Sequence, residues 1–419
     1  MRKSRTAWVI LAVTFIVLLA SAAIRATPAV LIVPLEREFG WSRATISFAI
    51  SVNLVLYGLI GPFAAGFIAR YGARAVMVSC ALLLGVGVLG TRFMRDPLEL
   101  VLLWGLVVGV GTGGLAIVLG AAVVERWFAQ SRGLALGILT ASTATGQLLF
   151  LPLLARLIVG YGWRSAVTLM ALVAFALVPL VLAFMIDRPE QRGLRPYGAG
   201  AAPPLRAAPL QNPVKAALGT LAFAVHEREF WILAGTFFIC GASTNGLIGT
   251  HLVPACMDSG IGEVQAAGLL AVMGIFDLIG TTGSGWLTDR FDSRLLLFAY
   301  YGLRGLSLIY LPLALEPPSR GLTPFAVFYG LDWIATVPPT VALARQGFGA
   351  ARAPLILGWV MAAHQLGAAT AATLAALIRT QAGSYDRAFW ISGGLCLLAA
   401  GAVLFAGRRT EAPAVEAQA

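Results

Sequence analysis

Long runs of apolar residues alternate along the whole chain with short segments that carry its charges. Each run is about 20 residues long, which as an α-helix spans the roughly 30 Å hydrocarbon core of a bilayer. Twelve such runs are distinguished and are numbered here as spans 1 to 12. Their centres lie near residues 20, 57, 84, 112, 146, 175, 243, 276, 305, 333, 367 and 398. The pattern predicts an all-α membrane protein with twelve transmembrane helices.

The second half of the chain repeats features of the first half at a distance of 220 residues. Arg70-Tyr71-Gly72-Ala73-Arg74 precedes Arg290-Phe291-Asp292-Ser293-Arg294 by that distance (290 − 70 = 220). The turn at Gly40 is likewise repeated at Gly260. A duplicated helical unit is typical of secondary transporters, whose site lies where the two units meet. We therefore expect two pseudo-symmetric six-helix bundles around a shared central site.

A polar segment rich in Pro, Gly and Ala separates the two halves, and such a segment forms neither a core nor a span. Within it, residues 213–224 are predicted to form a short helix at the membrane interface, with Val214, Leu218, Leu221 and Phe223 on one apolar face. The expected organisation is an N-terminal bundle over 1–186, a cytoplasmic linker over 187–229, a C-terminal bundle over 230–407 and a cytoplasmic tail over 408–419.

Composition supports a membrane location. The 419 residues are 59% hydrophobic and 12% charged, with a mean hydropathy of +0.85, whereas soluble domains carry about 25% charged residues. The net charge of +11 could indicate nucleic acid as a partner. With both termini in the cytoplasm, however, 19 of the 30 Lys and Arg residues fall on the cytoplasmic side, which is the positive-inside pattern. We expect a multi-pass inner (plasma) membrane protein with both termini cytoplasmic and no nucleic-acid partner.

The N-terminus allows one alternative, because Met1 to Arg5, an apolar stretch and Ala20-Ser21-Ala22 resemble a cleavable signal peptide. Cleavage would leave span 7 without its repeat partner, so a first transmembrane span is favoured. The four cysteines lie far apart without metal-site spacing, and the loops contain no nucleophile–base constellation. We expect no cofactor, no bound metal and no enzymatic activity.

A motif lies between spans 8 and 9, Gly285-Trp286-Leu287-Thr288-Asp289-Arg290-Phe291-Asp292-Ser293-Arg294. With the six-plus-six arrangement and the long central loop, it resembles the loop motif of the major facilitator superfamily, although Asp292 replaces the usual glycine. The first-half copy has Ala69 in place of the aspartate. The resemblance implies gating by charges on the cytoplasmic face, which we assign to Asp289, Arg290, Arg70, Arg74 and Arg132. The alternative is that these charges only set topology and pack the loops.

Shorter motifs resemble the monocarboxylate porter and oxalate:formate antiporter branch of that superfamily. They are Tyr71 to Met77 after span 2, Pro34 to Ser42 after span 1, and Arg126-Trp127-Phe128 with Arg132-Gly133-Leu134-Ala135 between spans 4 and 5. Asp277 in span 8 falls where that branch carries an aspartate. One helical turn later the branch usually has an arginine that holds the substrate carboxylate. Here that position is Thr281, so this arginine cannot be transferred to the chain.

Arg25 is an ionisable residue inside span 1. Such a residue costs several kcal/mol at mid-bilayer and is therefore a functional candidate by default. Its repeat counterpart is Asn245 in span 7 (245 − 25 = 220), and both spans are expected to line the central cavity. We predict that Arg25 binds the anionic group of a substrate. The alternative is that Arg25 reaches the membrane surface or bonds to a carbonyl.

Three charges of the second half are predicted to lie at one depth in neighbouring spans: Asp277 in span 8, Arg304 in span 9 and Asp332 in span 10. One arginine satisfies only one carboxylate fully, so the other carboxylate could carry a proton. We assign Asp277, Asp332 and Arg304 to proton coupling, with Asp277 as the preferred carrier. The alternative is a purely structural ion pair of Arg304 with Asp332.

Neutral and titratable side chains complete the candidate binding site. His364, near the middle of span 11, can change charge near neutral pH, and a packing role is the alternative. Tyr57 is the repeat counterpart of Asp277 (277 − 57 = 220). Pro338-Pro339 is expected to break the helix of span 10, either near the site or as a hinge. The predicted substrate-binding residues are Arg25, Asn245, His364, Gln147, Tyr57 and Asn53.

These features predict a secondary active transporter that works by alternating access and moves a small organic anion, such as a monocarboxylate, with protons. Its expected partners are that anion, protons and the lipid bilayer, and the protein is expected to be a monomer. The alternative is proton-driven export of an amphipathic drug or metabolite, which the missing arginine at Thr281 favours. From another class, a non-transporting membrane sensor would need a soluble signalling region that neither linker nor tail provides.

Overall fold

A computed structural model describes residues 2–199, 213–316 and 321–406. Within these ranges the chain is helical, without a β-strand beyond one isolated bridge between Phe128 and Tyr197. The spans of the first half are Arg2–Ala26 continued by Pro28–Phe39, Arg43–Tyr71, Ala73–Thr91, Pro97–Trp127, Arg132–Tyr161 and Trp163–Phe184. Those of the second half are Arg228–Asp258, Glu263–Thr288, Ser293–Leu315, Leu322–Gly349, Arg352–Ala382 and Asp386–Val403.

The number of helices agrees with the hydrophobic pattern. Among the described residues, 11 helices are long and apolar enough to cross a membrane. The twelfth segment, Arg132–Tyr161, is a 30-residue helix, which at 1.5 Å per residue is about 45 Å long. The predicted fold, twelve helices in two six-helix bundles, is therefore confirmed.

Two faces of the molecule matter for the site. The linker face carries the start of span 1, the linker and the end of span 12. The opposite face carries the turn between spans 1 and 2 and the turn between spans 7 and 8.

The 220-residue repeat is visible in the backbone at the opposite face. Gly40 follows span 1 with φ of 68°, and Gly260 follows span 7 with φ of 82° (260 − 40 = 220). Glycine takes a positive φ without the strain of a Cβ atom. The amide of Gly40 donates to the carbonyl of Glu36 at 3.0 Å, which closes the helix. Both halves thus place a positive-φ glycine directly after the corresponding helix.

Spans 1 and 7 are irregular at equivalent positions. Span 1 is interrupted at Thr27, directly before Pro28, which has no amide N–H to continue the helix. Span 7 contains a π-helix, Ala242–Ile248, which includes the position 220 residues after Thr27 (27 + 220 = 247). Arg25 and Asn245 therefore lie within or beside these irregularities, and π-helical turns are frequent at functional sites.

Spans 4 and 10 are also interrupted at equivalent positions. In span 4 the helix breaks at Leu115 and Ala116, after the glycine-rich segment Gly109–Gly114. In span 10 residues 333–336 form a turn between two helical segments, before Pro338-Pro339 (115 + 220 = 335). The break predicted from the two prolines is present. Transporters commonly build their sites from such discontinuous helices.

Spans 7 and 11 pack closely through glycines. A Cβ atom on Gly241 would overlap the backbone carbonyl of His364, and one on Gly367 would overlap the carbonyl of Phe238. Only glycine allows the two backbones to approach this far. This contact fixes the π-helical part of span 7 against the part of span 11 that carries His364.

The linker is attached to both halves on its face. The amide of Tyr197 donates to the carbonyl of Trp127 at 2.7 Å, which ties the start of the linker to the end of span 4. The helix Pro213–Ala224 occupies the segment for which an interfacial helix was predicted. Trp359 of span 11 donates through Nε1 to the carbonyl of Ala217 in this helix at 3.0 Å. The location of the helix Pro213–Ala224 at a membrane interface stays a prediction.

Candidate functional site

Arg25 is half-buried in span 1 and lies against the aromatic ring of Tyr57 in span 2. The guanidinium carbon is 5.1 Å from the ring centroid, within the range of a cation–π contact. Among the described residues, the ion pairs involve other arginines, and no carboxylate pairs with Arg25. The cation is thus held by a neutral ring and keeps its capacity to bind an anion.

His364 and Asn245 lie on the tightly packed pair of spans 7 and 11. Both residues are half-buried. The ring of His364 is 5.3 Å from the ring of Phe237. Its Nδ1 atom is buried without a hydrogen-bond partner among the described residues. A buried polar atom without a partner is uncommon, because it has lost its bonds to water. The role of His364 in substrate binding stays a prediction.

Span 2 connects the Arg25 region to span 11. A Cβ atom on Gly58, the residue after Tyr57, would overlap the side chain of Gln365, the residue after His364. Ser51 Oγ donates to the carbonyl of Ala369 at 2.6 Å. These contacts pack span 2 of the first half against span 11 of the second half, so Tyr57 and His364 lie on two adjoining spans at the junction of the halves.

Asn53 and Gln147 are the two remaining predicted binding residues, and the structure describes the side chain of Asn53 only. Asn53 is buried, and its Nδ2 donates to the carbonyl of Trp104 at 2.9 Å. This carbonyl belongs to the π-helix Val101–Val108 of span 4, so part of the Asn53 amide serves the backbone. The side chain of Gln147 lies outside the described residues, and its assignment stays a prediction.

Asp277 is buried in span 8 and stabilises the break in span 10. Its Oδ1 accepts the amide N–H of Ile334 at 3.0 Å and the hydroxyl of Thr281 at 2.9 Å. Nearby, the hydroxyl of Ser284 donates to the carbonyl of Ala335 at 2.6 Å, which has no helical partner because residue 339 is proline. Thr281, which occupies the position of the branch's usual arginine, therefore donates a hydrogen bond to the Asp277 carboxylate instead of presenting a cation.

Arg304 is fully buried and pairs with Asp332, not with Asp277. Its Nε donates to Asp332 Oδ2 at 2.5 Å, and its Nη2 donates to the carbonyl of Asp332 at 2.6 Å. Its Nη1 approaches the sulfur of Cys240 at 2.9 Å. Asp332 Oδ1 has no partner among the described residues. The three predicted charges thus lie around one helix break, and this geometry matches the structural ion pair named as the alternative. The assignment to proton coupling stays a prediction.

The predicted gating residues lie at the linker face. Asp289 is exposed, and Arg290 lies over the ring of Trp286 at 4.1 Å from its centroid. Arg74 donates through Nη2 to the carbonyl of Leu182 at 2.5 Å, within its own half. Arg70 is exposed beside Tyr71, and the side chain of Arg132 lies outside the described residues. None of the described members forms an ion pair with the other half.

The structure reveals a charged cluster at the opposite face that the sequence did not single out. Arg43 at the start of span 2 forms a bidentate ion pair with Asp258 at the end of span 7. The turn after Gly40, already noted for its repeat at Gly260, was the available signal, because it places these two helix ends at one face. Among the described residues, no group of three or more His, Cys, Asp or Glu side chains could hold a metal ion.

Comparison with solved structures relates the fold to known transporters. The crystal structure of a D-xylose-proton symporter superposes with a TM-score of 0.72 at 15% identity, covering 94% of this chain and 97% of the other. A bacterial homologue of the human lysosomal transporter Spinster, in an inward-facing and unoccupied conformation, superposes with a TM-score of 0.71 at 14% identity, covering 95% and 98%. At this identity the likeness shows the fold alone.

Sequence relatives include monocarboxylate transporters. Monocarboxylate transporter 11 of Homo sapiens is 28% identical over 371 residues, covering 87% of this chain and 75% of the relative. Monocarboxylate transporter 12-B of Danio rerio is 25% identical over 428 residues, covering 95% and 86%. The uncharacterized MFS-type transporter YcxA of Bacillus subtilis (strain 168) is 26% identical over 380 residues, covering 87% and 86%. The model of the Major Facilitator Superfamily matches residues 12–369. The chain therefore belongs to the Major Facilitator Superfamily and is a multi-pass membrane transporter rather than an enzyme.

Proposed function

We propose that this protein transports a small organic anion, most simply a monocarboxylate, together with protons across the inner (plasma) membrane. The observation that carries the proposal is the state of Arg25, a half-buried cation that rests on the Tyr57 ring without a carboxylate partner among the described residues. A cation inside the membrane costs free energy, and such a residue is therefore a functional candidate by default. The names of the relatives agree with an anionic substrate.

The remaining components are assigned as follows. Arg25 holds the anionic group, with Asn245, His364 and Gln147 supplying hydrogen bonds. Asp277 exchanges a proton as the two halves move by alternating access. The linker face is placed in the cytoplasm because most Lys and Arg residues fall there. The protein is assigned as a monomer.

The test is uptake into proteoliposomes under an imposed pH gradient, with a panel of labelled C2 to C6 carboxylates. We expect gradient-dependent uptake of at least one member, lost in Arg25→Ala and partly kept in Arg25→Lys. The matched control is Arg156→Ala, because Arg156 is an exposed arginine of span 5. Uptake that survives Arg25→Ala would refute the role of this residue.

A second function is favoured by one observation. Thr281 bonds to Asp277 where the branch usually carries a cation, so span 8 offers no arginine for a carboxylate. Proton-driven export of an amphipathic drug or metabolite would not need an arginine at this position. Folded protein that takes up no carboxylate, but extrudes a lipophilic dye from vesicles in a manner that depends on the pH gradient, would favour the exporter.

A further inference from the structure

All three guanidinium nitrogens of Arg43 are engaged at the opposite face. Its side chain is only 5% exposed. Nη1 and Nη2 each bond to one carboxylate oxygen of Asp258 at 2.7 Å. Such a bidentate pair is among the stronger and more directional polar contacts in proteins. Span 2 belongs to the first half and span 7 to the second, so this contact joins the two halves.

Each member of this pair also has a partner in its own half. Arg43 Nε donates to Glu36 Oε2 at 2.8 Å, and Glu36 lies at the end of span 1. Arg379, at the end of span 11, donates through Nε to Asp258 Oδ2 at 2.7 Å. Two cations and two anions are thus present, one of each sign from each half. Arg43 Nη1 also donates to the hydroxyl of Tyr385, at the start of span 12 in the second half, at 3.3 Å.

We propose that Arg43 and Asp258 form the gate at the opposite face of this transporter, and that the gate opens when this pair separates while each member keeps the partner in its own half. A central site reaches the opposite face only if the two halves separate there. Among the described residues, Arg43 with Asp258 is the ion pair that joins the halves.

The two additional partners explain how the gate opens without a prohibitive cost. Separating a buried pair is costly chiefly when it leaves a charge without compensation. Here Arg43 keeps Glu36 and Asp258 keeps Arg379, so each half retains a neutral pair after separation. The gate is strong enough to hold the closed arrangement and is still able to open reversibly.

The experiment measures the distance across the opposite face in full-length protein reconstituted in liposomes, without substrate. Nitroxide labels are placed at Leu98→Cys in the first half and Ala382→Cys in the second, both exposed. The four native cysteines are buried. Pulsed electron paramagnetic resonance then gives the populations of short and long distances. We expect Asp258→Asn to raise the ratio of long to short distances at least about tenfold.

The control is Glu38→Gln. Glu38 pairs with Arg164 on the same face but within the first half, so its loss leaves the distances unchanged. Arg379→Gln removes the own-half partner of Asp258 and leaves the bond to Arg43, so the long-distance population does not rise. If Asp258→Asn does not fold, Arg43→Gln gives the same expected opening.

Two results overturn the proposal. One is an unchanged distance distribution in both Asp258→Asn and Arg43→Gln. The other is an equal rise in Glu38→Gln or Arg379→Gln, which would indicate general loosening of this face. Because no substrate is used, failure of the gate is a separate result from failure of the organic-anion assignment.

Discussion

The buried ion pair of Arg304 with Asp332 leads to a prediction about stability. The side chain of Arg304 is 0% exposed and that of Asp332 is 10% exposed. Removing one partner of such a pair leaves the other charge buried without compensation, which typically costs about 3–5 kcal/mol. In Asp332→Asn, Arg304 keeps its bond to the backbone carbonyl of residue 332. We therefore expect a loss near 3 kcal/mol in the free energy of unfolding.

The measurement is unfolding of the purified protein in mixed micelles, followed by helical circular dichroism. Glu38→Gln is the matched control, because the side chains of Glu38 and Arg164 are 37% and 40% exposed. Exposed pairs contribute about 0–1 kcal/mol. The contrast between these two variants isolates the effect of burial from the loss of a charge as such.

A double variant separates the buried charge from other effects of the substitution. Arg304→Met with Asp332→Leu replaces both charges by apolar groups of similar size, which is often close to neutral. We expect it to recover at least half of the stability lost in Asp332→Asn. The reasoning is refuted if Asp332→Asn costs less than the Glu38→Gln control, or if the double variant is the least stable of the three.

Three further predictions address proton coupling, packing and the helix break. Asp277→Asn is expected to abolish the pH dependence of transport, and a pH profile like that of the wild type would exclude Asp277 as the carrier. Gly241→Ala places a Cβ atom against the backbone carbonyl of His364 and should lower the free energy of unfolding by about 1–3 kcal/mol. The control Gly235→Ala, on the same helix, places its Cβ atom in open space. This control should raise the free energy of unfolding by about 0.5–1 kcal/mol. Replacing Pro338-Pro339 by two alanines should allow a continuous helix and slow amide hydrogen exchange at residues 333–336, and unchanged exchange would assign the break to other contacts.

Local sequence features determined much of the architecture. Hydrophobicity summed over about 20 residues decides whether a helix can span a bilayer, so the spans could be located without knowing their neighbours. The turns at Gly40 and Gly260 and the break at Pro338-Pro339 depend on backbone freedom or on a missing N–H at those residues. The repeat of 220 residues then paired the two halves.

The candidate site could be predicted only in part. Arg25, Asp277, Arg304 and Asp332 were recognised because charges are costly inside a span. Their partners were not determined in this way. The expected cluster of three charges became an Arg304–Asp332 pair, while Asp277 bonded to the Ile334 amide. The choice of carboxylate for the Arg304 guanidinium depends on how the helices are rotated and on the turn at residues 333–336. The hydrophobic pattern of the spans specifies neither of these.

The proposed gate of Arg43 and Asp258 shows most clearly the difference between locating a charged residue and predicting its partner. Arg43 and Asp258 are 215 residues apart, and each lies at a helix end where charges are ordinary, so neither stood out in the sequence. The twelve helices, their duplication and the intramembrane charges could be read from the residue order alone, because hydrophobicity and backbone freedom are local properties. Which charges meet across the two halves became visible only in the folded protein, because such contacts depend on how helices distant in the chain are placed and rotated against one another.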